Sequence, residues 1–430
     1  MVIHIKHQKN SLLLRKAAAF LKNNTVLAVA VTAAAVTSFI VPPDSAYIEY
    51  FDFKTLTCLF CTLAVICALK NINFFTIAAK KIVFLTGDIR KAIISIVVIT
   101  FIGSMLIAND MALLTFLPLG YFVLSSAGQK KYMIFTFIMQ NIGANLGGML
   151  TPFGNPQNLY LYNKFNIPSE QFMEIMAIPF ASAIVLILLS CFVFVKKEKI
   201  TVSDNLDDRL PLGKTILYLA LFAFSIVIVF RIIPYWTGLI IIPAVLFLTD
   251  RKALRSVDYG LLLTFVCFFI FSGNMSRIHS VNRFISSLLE KNTLIVSVLS
   301  CQIISNVPSA ILLSGFTGNY RALLYGVNIG GTGTLIASLA SLITFRQYCA
   351  AEPSGAKKYL LYFSALNFVF LIIMTLICLL ILGNTAQGLL RRCAPDFSSD
   401  DTNRGDKSGS SAMKLVKYGG IEAAYAQQRC

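Results

Sequence analysis

Between Lys291 and Arg321 the chain carries no charged residue, and the length of that stretch restricts the fold more than any other feature. Residues 292–320 number 29, with 14 on each side of Asn306. An α-helix rises 1.5 Å per residue, so each side reaches about 21 Å. That is short of the ~30 Å hydrocarbon core of a bilayer. Two full crossings do not fit, whereas a re-entrant hairpin that dips in and returns does. Its tip falls at Ser305-Asn306-Val307-Pro308.

A second run, residues 92–129 between Lys91 and Lys130, holds one charged residue, Asp110, next to Asn109. A carboxylate at that depth is costly unless protein, water or an ion surrounds it, which marks it as a functional candidate. The two halves of this run have 17 and 20 residues around Asn109 and are long enough to cross fully. In that alternative Asn109-Asp110 is an ordinary outside turn.

Apolar runs of membrane length recur along the chain. Hydrophobic residues make up 57% and charged residues 13%, against roughly 25% charged in soluble domains. The class is therefore all-α and polytopic, an integral multi-pass protein of the plasma or inner membrane. A net charge of +17 would suit nucleic acid, but the basic residues sit in short loops between apolar runs and read as orientation signals. The topology they favour places 23 Lys and Arg inside and 7 outside, with 7 more in the tail. It puts the N-terminus in the cytoplasm and the C-terminus outside. Nucleic acid is excluded as a partner, and membrane lipid is expected. The first apolar run, 25–41, follows a basic head as a signal peptide would, but it is long for one and the topology needs it as a span. Cys58 and Cys61 form a CxxC inside an apolar run, where small-residue packing is the simpler role. His4, His7 and His279 form no ligand cluster.

The chain divides into a basic N-terminus (1–24), a first repeat (25–195), a connecting loop and linker helix (196–234), a second repeat (235–383) and a polar, disordered tail (384–430). Spans are expected at 25–41, 56–69, 132–162, 175–195, 216–232, 236–248, 259–272, 322–345 and 359–382, with an interfacial helix at 73–86. Span 132–162 is interrupted by Thr151-Pro152-Phe153-Gly154-Asn155-Pro156 and span 322–345 by Gly330-Gly331-Thr332-Gly333. Proline removes a backbone donor and glycine loosens the helix, so both should unwind at membrane depth.

The halves share a pattern. Leu106-Ile107-Ala108-Asn109 pairs with Ile303-Ile304-Ser305-Asn306, and Asn141-Ile142-Gly143 with Asn328-Ile329-Gly330. Thr151 and Leu159 have the spacing of Thr334 and Leu342. Each half reads as two spans, a hairpin, a broken span and a closing span, and the odd span at 216–232 makes the repeats inverted. Inverted repeats whose interrupted helices meet at the midplane point to a secondary transporter's binding site. A lone Asn or glycine kink is by default packing glue; two matching constellations weigh against that.

At these residues the chain resembles the ion transporter superfamily, in the branch of arsenite permeases, citrate transporter-like permeases and sodium:proton antiporters, related to divalent anion:sodium symporters. The motifs carrying the resemblance are Ala-Asn-Asp-Met-Ala-Leu-Leu at 108–114, Leu-Thr-Pro-Phe-Gly-Asn-Pro-Gln-Asn at 150–158, Ile-Ser-Asn-Val-Pro-Ser at 304–309, Val-Asn-Ile-Gly-Gly at 327–331 and Ser-Leu-Ala-Ser-Leu-Ile at 338–343. In the symporters the hairpin tips carry Ser-Asn-Thr and help bind sodium. The resemblance therefore implies cation binding near Asn109 and Asn306. Ser104 stands where those relatives place a cation-binding hydroxyl, and Cys301 takes that place in the second half. Asp110 and Val307 depart from the triplet, and Asp110 makes proton coupling as plausible as sodium coupling.

The expected function is a permease for a small anion by ion-coupled symport, with no cofactor beyond Na+ or H+, no structural metal and no catalysis. Substrate contacts are expected from Asn109, Thr151, Asn155, Ser305, Asn306, Thr334 and Ser338. Ion coupling is expected at Ser104, Asn109, Asp110 and Asn306. Pro152, Gly154, Pro156, Gly330, Gly331 and Gly333 should open the helices. A cation:proton antiporter, an arsenite efflux permease and a passive anion channel are the alternatives. A homodimer is left open.

Overall fold

The computed structural model describes residues 25–84, 87–199 and 210–393. The basic N-terminus and the tail beyond Cys393 lie outside the described residues. Every element is helical, and an isolated bridge joins Asp88 to Lys199. In chain order the α-helices are α1 Thr25–Ile40, α2 Phe53–Asn71, α3 Phe74–Phe84, α4 Ile89–Ile107, α5 Asn109–Ser126, α6 Met133–Gly147, α7 Pro156–Lys164, α8 Ser169–Phe194 and α9 Leu212–Val229. They continue with α10 Tyr235–Thr249, α11 Arg251–Arg255, α12 Tyr259–Arg277, α13 His279–Ile304, α14 Asn306–Leu313, α15 Tyr320–Ile329, α16 Leu339–Ala351 and α17 Ala356–Cys393. Among the described residues, seven helices are long and apolar enough to cross a membrane. The chain is an all-α polytopic membrane protein.

Asp residues start several of these helices at the interface. Asp52, Asp88, Asp250 and Asp258 each accept a bond from a backbone N–H three residues on, satisfying a donor that the helix itself leaves open. The last helix runs on to Cys393, past the expected boundary at 383.

Two hairpins organise the interior. Helix α4 reverses at Ala108 and returns as α5, and the two arms pack together. Helix α13 breaks at Asn292 (φ −163°, ψ 92°), continues to Ile304, reverses at Ser305 and returns as α14. The returning arm is short, 8 residues or about 12 Å, and cannot cross a bilayer. At the first turn Asn109 is 5% exposed and packed inside the protein.

Each hairpin is braced by the helix that follows it. Helix α6 packs on both α4 and α5, and α15 on both α13 and α14. Small residues permit this close approach. A Cβ on Gly143 would stand 3.6 Å from the Val97 carbonyl, and one on Gly326 would stand 3.0 Å from the Leu294 carbonyl. Val97 and Leu294 each precede their tip asparagine by twelve residues. A Cβ on Gly147 would collide with the Phe101 carbonyl, and one on Gly330 would press on Cys301. Without a hydrophobic driving force between helices in lipid, such backbone proximity is a main source of cohesion.

Gly143 and Gly326 thus hold matching places against their hairpins, and Gly147 and Gly330 share their spacing of 183 residues while meeting different hairpin positions. This corrects the pairing of Asn141-Ile142-Gly143 with Asn328-Ile329-Gly330. The same offset brings Asn145 opposite Asn328, and it keeps Thr151 with Thr334.

The halves interlock. Helix α7, after the first break, packs on α14 and α15; α16, after the second, packs on α5 and α6. At the base of the first hairpin Lys131 pairs with Glu198 at 2.8 Å and Lys130 with Glu352 at 2.9 Å. Lys131 holds the Glu198 carboxyl below its usual range. These pairs are exposed and add little to stability.

Candidate functional site

The tips share an uncommon backbone. Ala108 has φ 66°, ψ 153° and Ser305 has φ 76°, ψ 160°. This is a region that essentially only glycine enters freely, at a cost of about 1–3 kcal/mol for other residues. Such strain persists only where the surroundings enforce it, and it clusters at functional sites. The next residue is asparagine in both. Asn109 Oδ1 accepts from the Asp110 N–H at 3.0 Å, and Asn306 Oδ1 from the Val307 N–H at 2.9 Å. Each asparagine thus engages the N–H of the next residue at the start of its returning helix and keeps its amide N–H2 for a neighbour.

For Asn109 that neighbour is Asn145, whose Oδ1 accepts at 3.3 Å. The Asn306 amide lies over Gly331, where a Cβ would meet Asn306 Nδ2 at 3.1 Å and Asn145 Oδ1 at 3.5 Å. Asn145 thus stands where the two tips converge. Asn145 donates in turn to the Asn141 carbonyl at 3.1 Å, and Asn141 meets Asn367 and Thr344 at 3.4 Å.

The breaks lie at the level of the tips. Helix α6 ends at Gly147 and α7 resumes at Pro156; α15 ends at Ile329 and α16 resumes at Leu339. Asn155 and Ser338 occupy matching cap positions, with φ, ψ of −140°, 145° and −148°, 142°. Thr151 Oγ1 donates to the Met105 carbonyl at 2.9 Å, and Thr334 Oγ1 to the Gln302 carbonyl at 3.1 Å. Met105 and Gln302 each precede the tip asparagine by four residues, so each broken segment is tied to its own hairpin in the same way. Ser305 Oγ and the Asn306 N–H both donate to the Ala337 carbonyl, at 3.2 and 3.0 Å.

Pro152 lies in the first break, and Pro156 opens α7 at a position where a missing N–H costs nothing. Gly154 folds back over the Gly148 carbonyl, and Gly333 has φ 111°, which an L side chain rarely adopts. Gly330 caps α15 beside Cys301. Ser338 Oγ accepts from the Ala340 N–H at 3.2 Å.

Ser104 donates to the Ala144 carbonyl, so its hydroxyl is engaged with α6. Asp110 is the candidate that the structure does not bring together with the rest. Its carboxyl makes no hydrogen bond to any of them, and Oδ1 is buried without a partner. Asn155 Oδ1, Gln157 Oε1 and Ser341 Oγ are also buried and unpartnered. Orphaned acceptors are costly in a protein interior and call for a water, ion or ligand. A cavity of about 20 Å³ beside Ala108, Thr62 and Pro156 has room for one water. Among the described residues no group of His, Cys, Asp or Glu is placed to hold a metal ion.

Reasoning from the sequence missed several participants. Asn145 accepts from the first tip's Asn109 and stands beside Gly331, over which the second tip's Asn306 amide lies. Asn158 donates to the Gly148 and Met149 carbonyls at 3.1 and 3.3 Å and accepts from Asn328 at 2.6 Å, tying the first break to α15. Gln302 donates to the Gly330 and Thr332 carbonyls and accepts from the Thr334 N–H, all within 3.1 Å. The available signal was a run of amide side chains inside apolar helices, Asn141 and Asn145 one turn apart on α6.

Crossing helices that unwind beside two strained hairpin tips, lined by amides and hydroxyls, are the marks of a membrane transporter. The sequence model of the citrate transporter family matches residues 12–319. The chain belongs to that family, within the ion transporter superfamily. It is 33% identical over 296 residues to an uncharacterized transporter of Methanocaldococcus jannaschii, covering 69% of this chain and 81% of that one. It is 28% identical over 324 residues to the inner membrane protein YbiR of Escherichia coli, covering 72% and 84%. A shorter match, 30% over 123 residues, is to a silicon efflux transporter of Oryza sativa and covers 28% of this chain and 24% of that one.

Proposed function

We propose that the chain is an ion-coupled secondary transporter of a small anion or oxyanion, working by alternating access, with its substrate held between the two hairpin tips and the two breaks. The observation that carries this reading is the matched pair of tips. Ala108-Asn109 and Ser305-Asn306 share one backbone conformation, one asparagine whose Oδ1 accepts from the next N–H, and one tie to a broken helix. The halves are read as inverted repeats, which the exchanged packing of α7 and α16 supports. Helix starts at the tips and after the breaks would offer N–H groups and a positive dipole end to an anion. The amides of Asn109 and Asn306, the cap residues Asn155 and Ser338, and Ser305, Thr151 and Thr334 would supply the remaining hydrogen bonds.

Ion coupling is assigned to the first tip. Asp110 supplies the carboxylate, as the site of a proton or of Na+, and Ser104, Asn109 and Asn306 are assigned to coupling alongside it. The unpartnered Asp110 Oδ1 supports a role for an added proton or cation there. Uptake into proteoliposomes tests the proposal: carboxylates, sulfate, phosphate and arsenite, each under a sodium gradient and separately under a pH gradient. Saturable uptake that is stimulated by substrate on the far side is expected, with one gradient driving accumulation. Non-saturable flux that follows only the substrate's own gradient would indicate a channel and overturn it.

A second reading is efflux of a weak oxyacid that is neutral at physiological pH. None of the side chains assigned to the site is basic, which suits a ligand of low charge, and one relative is named for silicon efflux. Uptake by inside-out vesicles with an acidic lumen, in exchange for protons leaving it, would favour this reading.

A further inference from the structure

The connecting helix α9 packs on α2 and α10, and the turn that follows it grips α7, the helix that resumes after the first break. Arg231 makes the grip. Its Nη2 donates to the Tyr162 carbonyl at 2.5 Å, and its Nη1 donates to Asn166 Oδ1 at 2.7 Å and to the Ile167 carbonyl at 3.2 Å. The guanidinium also lies 3.9 Å from the centre of the Tyr162 ring. Helix α7 closes at this place: Asn166 has φ 48°, and the Ile167 N–H returns to the Tyr162 carbonyl at 3.1 Å. A helix end leaves carbonyls open and carries partial negative charge, and a planar cationic fork answers both. Arg231 does this from a strained position. Helix α9 ends with the Ile232 N–H bonded to the Val227 carbonyl, and Arg231 holds the left-handed place of that turn at φ 63°. Glycine is the usual occupant there. An arginine at that place gives up backbone ease for what its side chain holds. Its neighbour Phe230 lies edge-on against Phe153 in the first break, with ring centroids 5.9 Å apart. Two adjacent residues of one turn thus hold α7 at both ends. Asn163 Nδ2 donates to Thr55 Oγ1 at 3.0 Å and adds α2 to the grip.

We propose that Arg231 is a positioning residue for the first break: by fixing the far end of α7 to the α9–α10 turn, it sets where Asn155 and the helix start at Pro156 face the substrate. This rests on the reading that Asn155 belongs to the substrate site. Arg231 makes none of its printed bonds to a residue assigned to the substrate, so it acts through α7, which is 9 residues or about 14 Å long. The physical reason is the break itself. Helix α6 stops at Gly147, and Pro156 brings no N–H to join α7 to it, so no backbone ladder fixes the direction of α7. Thr151 ties the near side of the break to Met105 of the hairpin. Packing on α14 and α15 confines α7 sideways, and Arg231 pins its far end. A short helix held at one end pivots, and one held at both ends keeps its cap residue in place.

The test is amide hydrogen exchange read by mass spectrometry on the full chain in detergent, for wild type, Arg231→Gly and Phe230→Leu. Arg231→Gly removes the fork and leaves the residue that the turn favours, so α9 keeps its end. Amides of residues 148–159 should exchange on the order of tenfold faster, a hydrogen bond to a charged group being worth that factor or more. Those of the second break, 330–338, should keep their wild-type rates. Phe230→Leu leaves Arg231 intact; it should loosen 148–159 and spare 162–167, and it covers the case in which Arg231→Gly is poorly folded. Arg231→Lys keeps the charge without the fork and should loosen the break as well. In proteoliposomes Arg231→Gly should raise the KM of substrate exchange about tenfold with the maximal rate near wild type. Amide exchange needs no substrate, so it tests the grip even where the substrate reading fails. Faster exchange confined to 162–167 in Arg231→Gly, an unchanged break in Phe230→Leu, equal loosening of both breaks in both variants, or a wild-type KM beside a loosened first break would each overturn the proposal.

Discussion

The two hairpins turn on the same backbone, yet they are held by different means. At the second tip, Gln302 knits the hairpin to its break with bonds to Gly330, Thr332 and Thr334, and Ser305 and Asn306 add two more to Ala337. At the first tip Met105 takes the place of Gln302 and offers only its carbonyl to Thr151. There the polar equipment is Asp110, whose Oδ1 is unpartnered, and the Ser104 hydroxyl. The lesson is a division of labour. The second hairpin is fastened, and the first carries the unpartnered carboxylate oxygen to which ion coupling is proposed.

The largest expected effect comes from the contact that braces the first hairpin. A Cβ at Gly147 would run into the Phe101 carbonyl, which is backbone and cannot rotate away. Gly147→Ala should lose about 3 kcal/mol or more and yield little monodisperse protein on size exclusion. Gly143→Ala, which meets only ordinary contacts, should behave as wild type. Equal behaviour of the two would show that the hairpin and α6 do not pack as closely as described.

Asp110→Asn comes next, and it separates the hairpins by function. It should cut gradient-driven accumulation at least about tenfold while leaving substrate exchange and the thermal midpoint near wild type. Unchanged accumulation would remove Asp110 from coupling. Gln302→Met makes the second tip resemble the first. It leaves the Thr334 N–H and two carbonyls without their partner and should destabilise by about 1–3 kcal/mol, read as a lowered thermal midpoint. No change would mean that the second hairpin is no better fastened than the first.

The smallest effect concerns the strain. Ala108→Gly relieves the positive φ and should stabilise by about 0.5–1 kcal/mol. Ser305→Gly should gain less, because it also gives up the bond to the Ala337 carbonyl. A larger gain at Ser305 would reverse the ranking of the two tips.

Much of this could be read before any coordinates. The second hairpin followed from the charge-free length around Asn306, and the breaks from Pro152, Pro156 and Gly330–Gly333, because length and helix-breaking residues are local properties. The register of the repeat was not local. The triplet Asn-Ile-Gly occurs in both halves, but it is Gly143 and Gly326 that lie against hairpin carbonyls twelve residues before a tip asparagine, and that depends on packing between distant segments. Asn145 was hidden for the same reason, since one more amide on an apolar helix looks like interhelical glue until the tips are seen to converge on it. The direction taken by Asp110 depends on the turn at Ala108. An alanine there gives no hint of a positive φ, a conformation that sequence usually announces with glycine.

The central claim is that Asn109 and Asn306 act as two halves of one site. Substrate exchange in proteoliposomes, measured on Asn109→Ala and Asn306→Ala alongside wild type at matched thermal midpoints, tests it most directly. Each variant alone should lose exchange by about tenfold or more, and the double variant should lose little further. Wild-type exchange in either single variant would contradict the account.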